Sequence, residues 1–256
     1  MKRFPAELAA LLSPRGRAVL AGRDRACGVL AAGLRFVSAA DLLDPALSRA
    51  ALRLLDATLD DVLTPMEVPI PQAAITAMKR NYAERLPKTV RVRTADMGSA
   101  RAKGSVRAAE IGLTAMLRSD SCRALAEAIS GYRLRARRGT QVLCYRANDY
   151  SGPHNDHHPE EPLARHGYVD LHLTFCNDAV AHQWLVYEHG GHLGQVQSIA
   201  TLGGVACYRL PLWHYTTPLA ARPGRQQEAR RWVLLATFLD RAPGAVSARA
   251  GASSPR

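Results

Sequence analysis

The sequence predicts an α+β fold with a mainly β core: an N-terminal helical scaffold followed by an antiparallel sandwich or barrel. Three observations carry that expectation. The chain has 256 residues, 47% of them apolar, enough to bury a core of its own. Residues 1 to 130 carry helical caps and apolar residues at three- and four-residue steps, whereas short runs rich in Val, Leu, Tyr, Phe and Trp begin near residue 140. Six or more such runs with glycine punctuation make a sheet stacked or closed on itself. All nine histidines lie between His154 and His214, and all three tryptophans lie beyond residue 180, so the chain changes character at its middle.

The elements follow in order. In "DPALSRAALRLLDATLDDVL" Asp44 is an N-cap and Pro45 suits the first helical position. A second helix is expected from Pro71 in "PQAAITAMKRNYAERL". A third follows the Ser119/Asp120 cap in "SDSCRALAEAISG" and stops at Gly131. Between them, "TADMGSARAKGSVRAAEIG" has the glycine, serine and charge content of a mobile loop, a candidate lid. The strand candidates are "TQVLCYRA", "YVDLHLTFC", "HQWLVYEH", "LGQVQSIAT", "GGVACYRLPLWHY" and "RRWVLLATFLD", with turns expected at Gly190/Gly191 and Gly203/Gly204. The organisation expected is a helical scaffold over 1–137, a β core over 138–242, and a disordered tail over 243–256, whose "RAPGAVSARAGASSPR" lacks large apolar residues.

Composition narrows the class. No apolar run reaches eighteen residues, so no membrane span is expected, and Glu7 and Pro14 interrupt the basic start in a way that does not suit a secretory signal. Five cysteines (Cys27, Cys122, Cys144, Cys176, Cys207), odd in number and without a CxxC spacing, read as reduced thiols of a cytoplasmic protein. The net charge of +12 invites a nucleic-acid partner. Yet only Lys2, Lys79, Lys88 and Lys103 among the 34 basic residues are lysines. So strong an arginine bias, beside abundant alanine, points to a GC-rich genome more than to a binding face. The tightest run, "RLRARR" (Arg133, Arg135, Arg137, Arg138), is either a solvated edge or a guide for an acidic substrate.

The stretch that bears on chemistry is "VLCYRANDYSGPHNDHHPEEP", residues 142–162. In an extended segment residues i and i+2 point the same way, so His154 and Asp156 can converge on a metal. Two histidines and one carboxylate on one face leave open positions that suit non-haem iron(II) and oxygen. His214, at the end of a strand candidate in "LPLWHYTTPL", is the distal histidine expected. Arg230 and Arg231 open the last strand, where an arginine can grip a carboxylate with two charge-assisted hydrogen bonds. Arg225, in the preceding loop, is a further candidate for that carboxylate.

With HxD, distal His and downstream Arg in that order, residues 138–242 resemble the 2-oxoglutarate and iron(II)-dependent dioxygenases. The nearest local likeness is to their prolyl 4-hydroxylase-like branch. There a strand ending in Cys-Tyr leads through a polar turn to HxD, as "CYRANDYSGPHND" does, and the last strand opens with Arg and closes with Asp, as "RWVLLATFLD" does from Arg231 to Asp240. That match favours Arg231 over Arg230. The resemblance implies a double-stranded β-helix (jelly roll, cupin-like). It further implies iron(II) held by His154, Asp156 and His214, with 2-oxoglutarate meeting Arg231 and lined by Tyr145, and O2 as second cosubstrate. The implied activity is a hydroxylase acting on a small-molecule or peptide substrate, with release of succinate and CO2.

Departures refine the expectation. Where the branch often has a second cosubstrate-binding tyrosine, "HLTFCN" has Phe175, so Thr174 or Thr216 must serve. The nucleobase-demethylating branch carries an arginine six residues after the first, but Thr237 stands here, against a nucleic-acid substrate. Halogenating relatives replace the aspartate that Asp156 supplies. His172, between Leu171 and Leu173, is expected to face away from the barrel interior. His182, His189 and His192 are expected to be exposed or structural, and Trp184, Trp213 and Trp232 to serve packing. His157 and His158 either touch substrate or sit in a solvated loop. The basic surface favours an anionic substrate slightly. Two other readings compete: a zinc-dependent hydrolase built on the same histidines, and a non-catalytic basic binding module.

Overall fold

The computed structural model describes residues 1–70, 89–156 and 167–240, and the backbone alone at 136–138. The helix expected from Pro71, His157, His158, the side chains of Arg137 and Arg138 and the tail over 243–256 lie outside it. Caps set the helices. In α1 (Pro14–Leu20) the Ser13 side chain accepts from the Gly16 amide, and in α2 (Pro45–Leu59) the Asp44 carboxylate accepts from the amides of Ala46 and Leu47. After α3 (Lys103–Glu110) and α4 (Leu113–Leu117), the Ser119 hydroxyl caps α5 (Asp120–Ser130), which ends at Gly131 with φ +77°.

The candidate lid is not a loop. Its segment holds α3, and Gly104 packs so closely that a Cβ there would meet the Asp96 carbonyl oxygen at 2.5 Å. The glycine that suggested mobility is there for close approach. The N-terminal half is also not purely helical. It supplies β1 (Phe36–Ala39), β2 (Leu63–Pro69) and β3 (Thr89–Ala95) to the sheet.

The expected strand runs become β4 (Leu134–Tyr145), β6 (Tyr168–Cys176), β8 (Trp184–His189), β9 (His192–Ser198), β10 (Leu202–Leu210) with β11 (His214–Thr216), and β13 (Arg231–Asp240), and three short strands stand beside them, β5 (Tyr150–His154), β7 (Val180–His182) and β12 (Ala220–Ala221). All pairings are antiparallel. One path runs β1-β10-β6-β13-β4-β3-β5-β11-β8-β9, with β2 on β3 and a small β7-β12 pair apart from it. The path folds over at β3. Its two layers then face each other, so that the Phe36 ring on β1 sits 5.2 Å from that of Tyr187 on β8. This is the double-stranded β-helix expected. Gly190 and Gly191 make the β8-β9 turn with φ of +62° and +83°. Gly203 instead marks a bulge where β10 meets β6, and a Cβ there would strike the Ser48 hydroxyl of α2 at 2.4 Å.

The layer β10-β6-β13-β4 is buried on both faces, and the two-residue alternation sorts its side chains. Leu171, Leu173, Phe175, Trp232, Leu234, Phe238, Val142 and Cys144 join Leu52, Leu55, Met116, Leu125 and Ile129 in one helix-packed core. Trp232 is fully buried there and donates from Nε1 to Asp56 of α2 at 2.7 Å. The opposite face looks into a cavity between the layers. Burial of an apolar side chain contributes about 1.5–3 kcal/mol, so the helices are integral to the layer that forms the cavity floor. All five cysteines are free, four of them buried. No helix among the described residues is long and apolar enough to cross a membrane.

Candidate metal centre and its cavity

His154 and His214 face each other as direct partners across β5 and β11, the closest approach two side chains have in an antiparallel pair. Their ring centroids are 4.4 Å apart. Asp156 completes the cluster: Oδ1 lies 3.4 Å from His154 Nε2 and Oδ2 lies 3.8 Å from His214 Nε2. One donor atom from each residue falls within 4.8 Å of the others, the sole such group of three or more metal-ligating side chains among the described residues. Strand alternation does not make this convergence. β5 stops at His154, and Asp156 takes a left-handed backbone with φ +52°, a conformation that costs a non-glycine residue energy. The Tyr168 hydroxyl donates to the Asp156 carbonyl and helps hold that turn.

The donor set fits a divalent ion. His154 Nδ1 lies 2.6 Å from the Gly152 carbonyl and His214 Nδ1 lies 2.7 Å from the Leu212 carbonyl. A carbonyl can only accept, so both protons sit on Nδ1 and both Nε2 lone pairs face Asp156. Burial first, then the neighbouring His154, holds His214 below its ordinary imidazole value, hence neutral and able to ligate. Neighbouring ligands of an octahedral ion are roughly 3 Å apart, so small shifts would close the set around iron(II).

The triad opens on a cavity of about 620 Å³. Arg231 lines it and is 3% exposed. Its Nε donates to the Ile199 carbonyl at 3.0 Å and its Nη1 to Gln183 Oε1 at 3.2 Å, while its Cζ lies 5.1 Å from the Tyr145 ring centroid. No carboxylate pairs with it among the described residues. Burial pushes its pKa down, which marks a cation short of an anionic partner. Gln183, itself fully buried, is fixed by donating to the carbonyls of Asp149 and Thr217. Tyr145 is buried beside Arg231, pairs with it across β4 and β13, and lines the cavity together with Thr216, two residues from His214. Arg231, Tyr145, Thr216 and His214 thus form one continuous wall.

Other candidates fall elsewhere. Arg230 points to the opposite face and pairs with Asp60 at 3.3 Å. Arg225 is held outside the cavity by Asp178 at 3.0 Å and Glu228 at 2.8 Å. Phe175 is in the helix-packed core, while Thr216 lines the cavity. His182, His189 and His192 are exposed, and no tryptophan lines the cavity. The expectation for His172 is overturned: it lines the cavity, because the helices claim Leu171 and Leu173 and leave the interior to the polar positions between them. Gln183, Asp170, Tyr168 and Tyr208 escaped the sequence reading. Only the alternation of "YVDLHLT" signals any of them, and period two alone does not say which of its faces meets the cavity.

No family model matches the chain, and no curated protein matches it in sequence. Solved structures do. An oxidoreductase of the 2OG-Fe(II) oxygenase family from Burkholderia pseudomallei aligns at TM-score 0.50 with 13% identity, over 83% of this chain and 88% of that one. SnoK, a non-heme alpha-ketoglutarate-dependent carbocyclase from nogalamycin biosynthesis, aligns at TM-score 0.53 with 10% identity, over 85% of this chain and 84% of that one. At such identities the likeness speaks for architecture: the chain has the double-stranded β-helix fold found in 2-oxoglutarate/iron(II) oxygenases.

Proposed function

We propose that the protein is a non-haem iron(II) and 2-oxoglutarate-dependent oxygenase that hydroxylates a small-molecule or peptide substrate. The observation that carries this reading is a pairing in one cavity: a two-histidine, one-carboxylate cluster whose donor atoms converge within 4.8 Å, and a buried arginine without a carboxylate partner among the described residues. His154, Asp156 and His214 would hold the ion, Arg231 the far carboxylate of 2-oxoglutarate, and Tyr145 the wall between. When bound, iron and cosubstrate supply the oxidising power: O2 is consumed, 2-oxoglutarate becomes succinate and CO2, and a substrate C–H gains one oxygen atom.

The chain's own groups do the positioning. The carbonyls of Gly152 and Leu212 fix the two imidazole tautomers. Tyr168 holds the backbone of Asp156. Ile199 and Gln183 take two of the five donors of Arg231, leaving a fork for a carboxylate. Asp156 occupies the position a halide would need, which supports hydroxylation. The local match to the prolyl 4-hydroxylase-like branch rests on the two sequence stretches that flank this site.

The test is iron(II) titration under anaerobic conditions followed by admission of oxygen with 2-oxoglutarate. One iron per chain, with oxygen uptake matched by succinate, is the expected result. Retention of zinc, with hydrolysis that ignores 2-oxoglutarate, would replace the reading with that of a zinc enzyme. Chlorinated product in excess chloride would overturn hydroxylation.

A further inference from the structure

Beyond the triad, the cavity wall carries polar side chains that neither the ion nor the cosubstrate would use. Asp170 of β6 is 4% exposed and faces the cavity. The Thr237 hydroxyl donates to its Oδ1 at 2.6 Å, and His172 Nε2 lies 3.9 Å from its Oδ2. The Tyr208 hydroxyl is 3.0 Å from the same His172 nitrogen, and the Tyr208 ring is 5.4 Å from that of His214. The patch therefore begins against a candidate metal ligand and runs away from it to a carboxylate. It runs away from Arg231 too, since Thr237 sits six residues along β13, roughly 20 Å of extended strand.

The surroundings define what could meet that carboxylate. Phe36, Val68, Ile70, Leu185, Leu210 and Leu235 line the same cavity, with neutral polar side chains such as Gln141 among them. Among the described residues the near polar partners of Asp170 are the Thr237 hydroxyl and, at 3.9 Å, His172, with no Lys or Arg pairing with it, and a carboxylate has about four acceptor sites. Burial pushes its carboxyl above the ordinary range. A cation from outside would offset that cost better than any other partner.

We propose that Asp170, oriented by Thr237, determines substrate specificity by anchoring a protonated amine at the far end of an otherwise apolar substrate. The carbon to be oxidised then lies between that amine and the triad. This deepens the oxygenase reading and rests on it for the role of the triad. It also departs from the expectation of an anionic substrate: the excess positive charge belongs to the chain as a whole, whereas the charged side chain in the cavity wall remote from Arg231 is the carboxylate of Asp170.

The test needs no turnover. Calorimetry of the full chain with n-hexylamine and with hexan-1-ol, which unlike a carboxylate is not drawn to the cation of Arg231, should show the amine bound at least about tenfold more tightly than the alcohol, as a desolvated charge partner requires. Asp170→Asn should bring amine and alcohol within about threefold, the difference left when a neutral hydrogen bond replaces a charged one. Thr237→Val, which keeps the carboxylate but frees its orientation, should lose part of the preference and serves if Asp170→Asn folds poorly. Hexan-1-ol bound as tightly as hexylamine, or a preference that persists in Asp170→Asn, overturns the proposal. Iron titration of the same samples separates the two readings. Amine preference without iron uptake sinks the oxygenase and spares Asp170; iron uptake and succinate without amine preference do the reverse.

Discussion

Replacing Arg231 by alanine tests the proposed cosubstrate pocket most directly. Its guanidinium is buried, spends two donors on Ile199 and Gln183, and lies against Tyr145. The variant removes the sole arginine in the cavity wall among the described residues and would leave the carboxylate of the proposed cosubstrate facing Tyr145, Thr216 and apolar groups. Losing one side of a buried, hydrogen-bonded charge pair costs about 2–5 kcal/mol, so the dissociation constant for 2-oxoglutarate should rise by roughly 30-fold or more. The fold bears a second cost. The Ile199 carbonyl and Gln183 Oε1 lose a buried donor, at about 1–3 kcal/mol each where water cannot replace it. Calorimetry with manganese(II) in place of iron, without oxygen, reads cosubstrate affinity free of turnover, and thermal unfolding reads the second cost. Metal binding should survive, and lysine should rescue only in part because it lacks the planar fork. Unchanged 2-oxoglutarate affinity in Arg231→Ala, or an equal loss in Arg230→Ala, whose side chain meets Asp60 on the other face, would refute the reasoning.

Three further outcomes are expected. His154→Ala, Asp156→Ala and His214→Ala should each abolish iron uptake in metal analysis, while His172→Ala, assigned to the substrate end, should keep it. Because burial raises the Asp170 carboxyl above its ordinary 3.8, the protonated folded state is favoured. The stability this contributes is fully present below 3.8 and lost as pH rises through the raised value. Denaturant unfolding across that window should show Asp170→Asn gaining on the wild type as pH increases, and a constant difference would contradict the assignment. Thiol labelling of the native protein should reach Cys27 first, because burial pushes the Cys176 thiol up to about 12 and those of Cys144 and Cys207 higher still; early labelling of Cys144 would contradict the packing.

Much of this was legible before any coordinate. Asp44 and Ser119 announce their helices because a cap is a local hydrogen bond, readable from residue type and spacing. The last strand was legible for the same reason, since a period of two separates Arg231 from Arg230 with no tertiary knowledge. Three things were hidden. "TADMGSARAKGSVRAAEIG" reads as a loop because the need that placed Gly104 there, the backbone of Asp96, lies outside a window of residue types. The face of β6 was misread because both faces are buried, and period two alone does not say which one meets the helices. Gln183 gave no signal, since its task is to orient an arginine 48 residues away. The HxD pair was found for a reason only half right: the residues converge, but through the left-handed turn at Asp156.

The alternation of β13 bears on how such a protein can change over time. Trp232, Leu234, Ala236 and Phe238 knit the strand to the helices, while Arg231, Val233, Leu235 and Thr237 border the cavity. Adjacent codons thus answer to separate selective pressures. A mutation at 233, 235 or 237 can reshape the space offered to a ligand while the neighbouring residues keep the strand anchored, so new substrates can be tried without first unsettling the scaffold. If Arg231 holds the proposed cosubstrate, it is the one cavity position on the strand without that freedom, and lineages descending from this chain should diverge along β13 in steps of two.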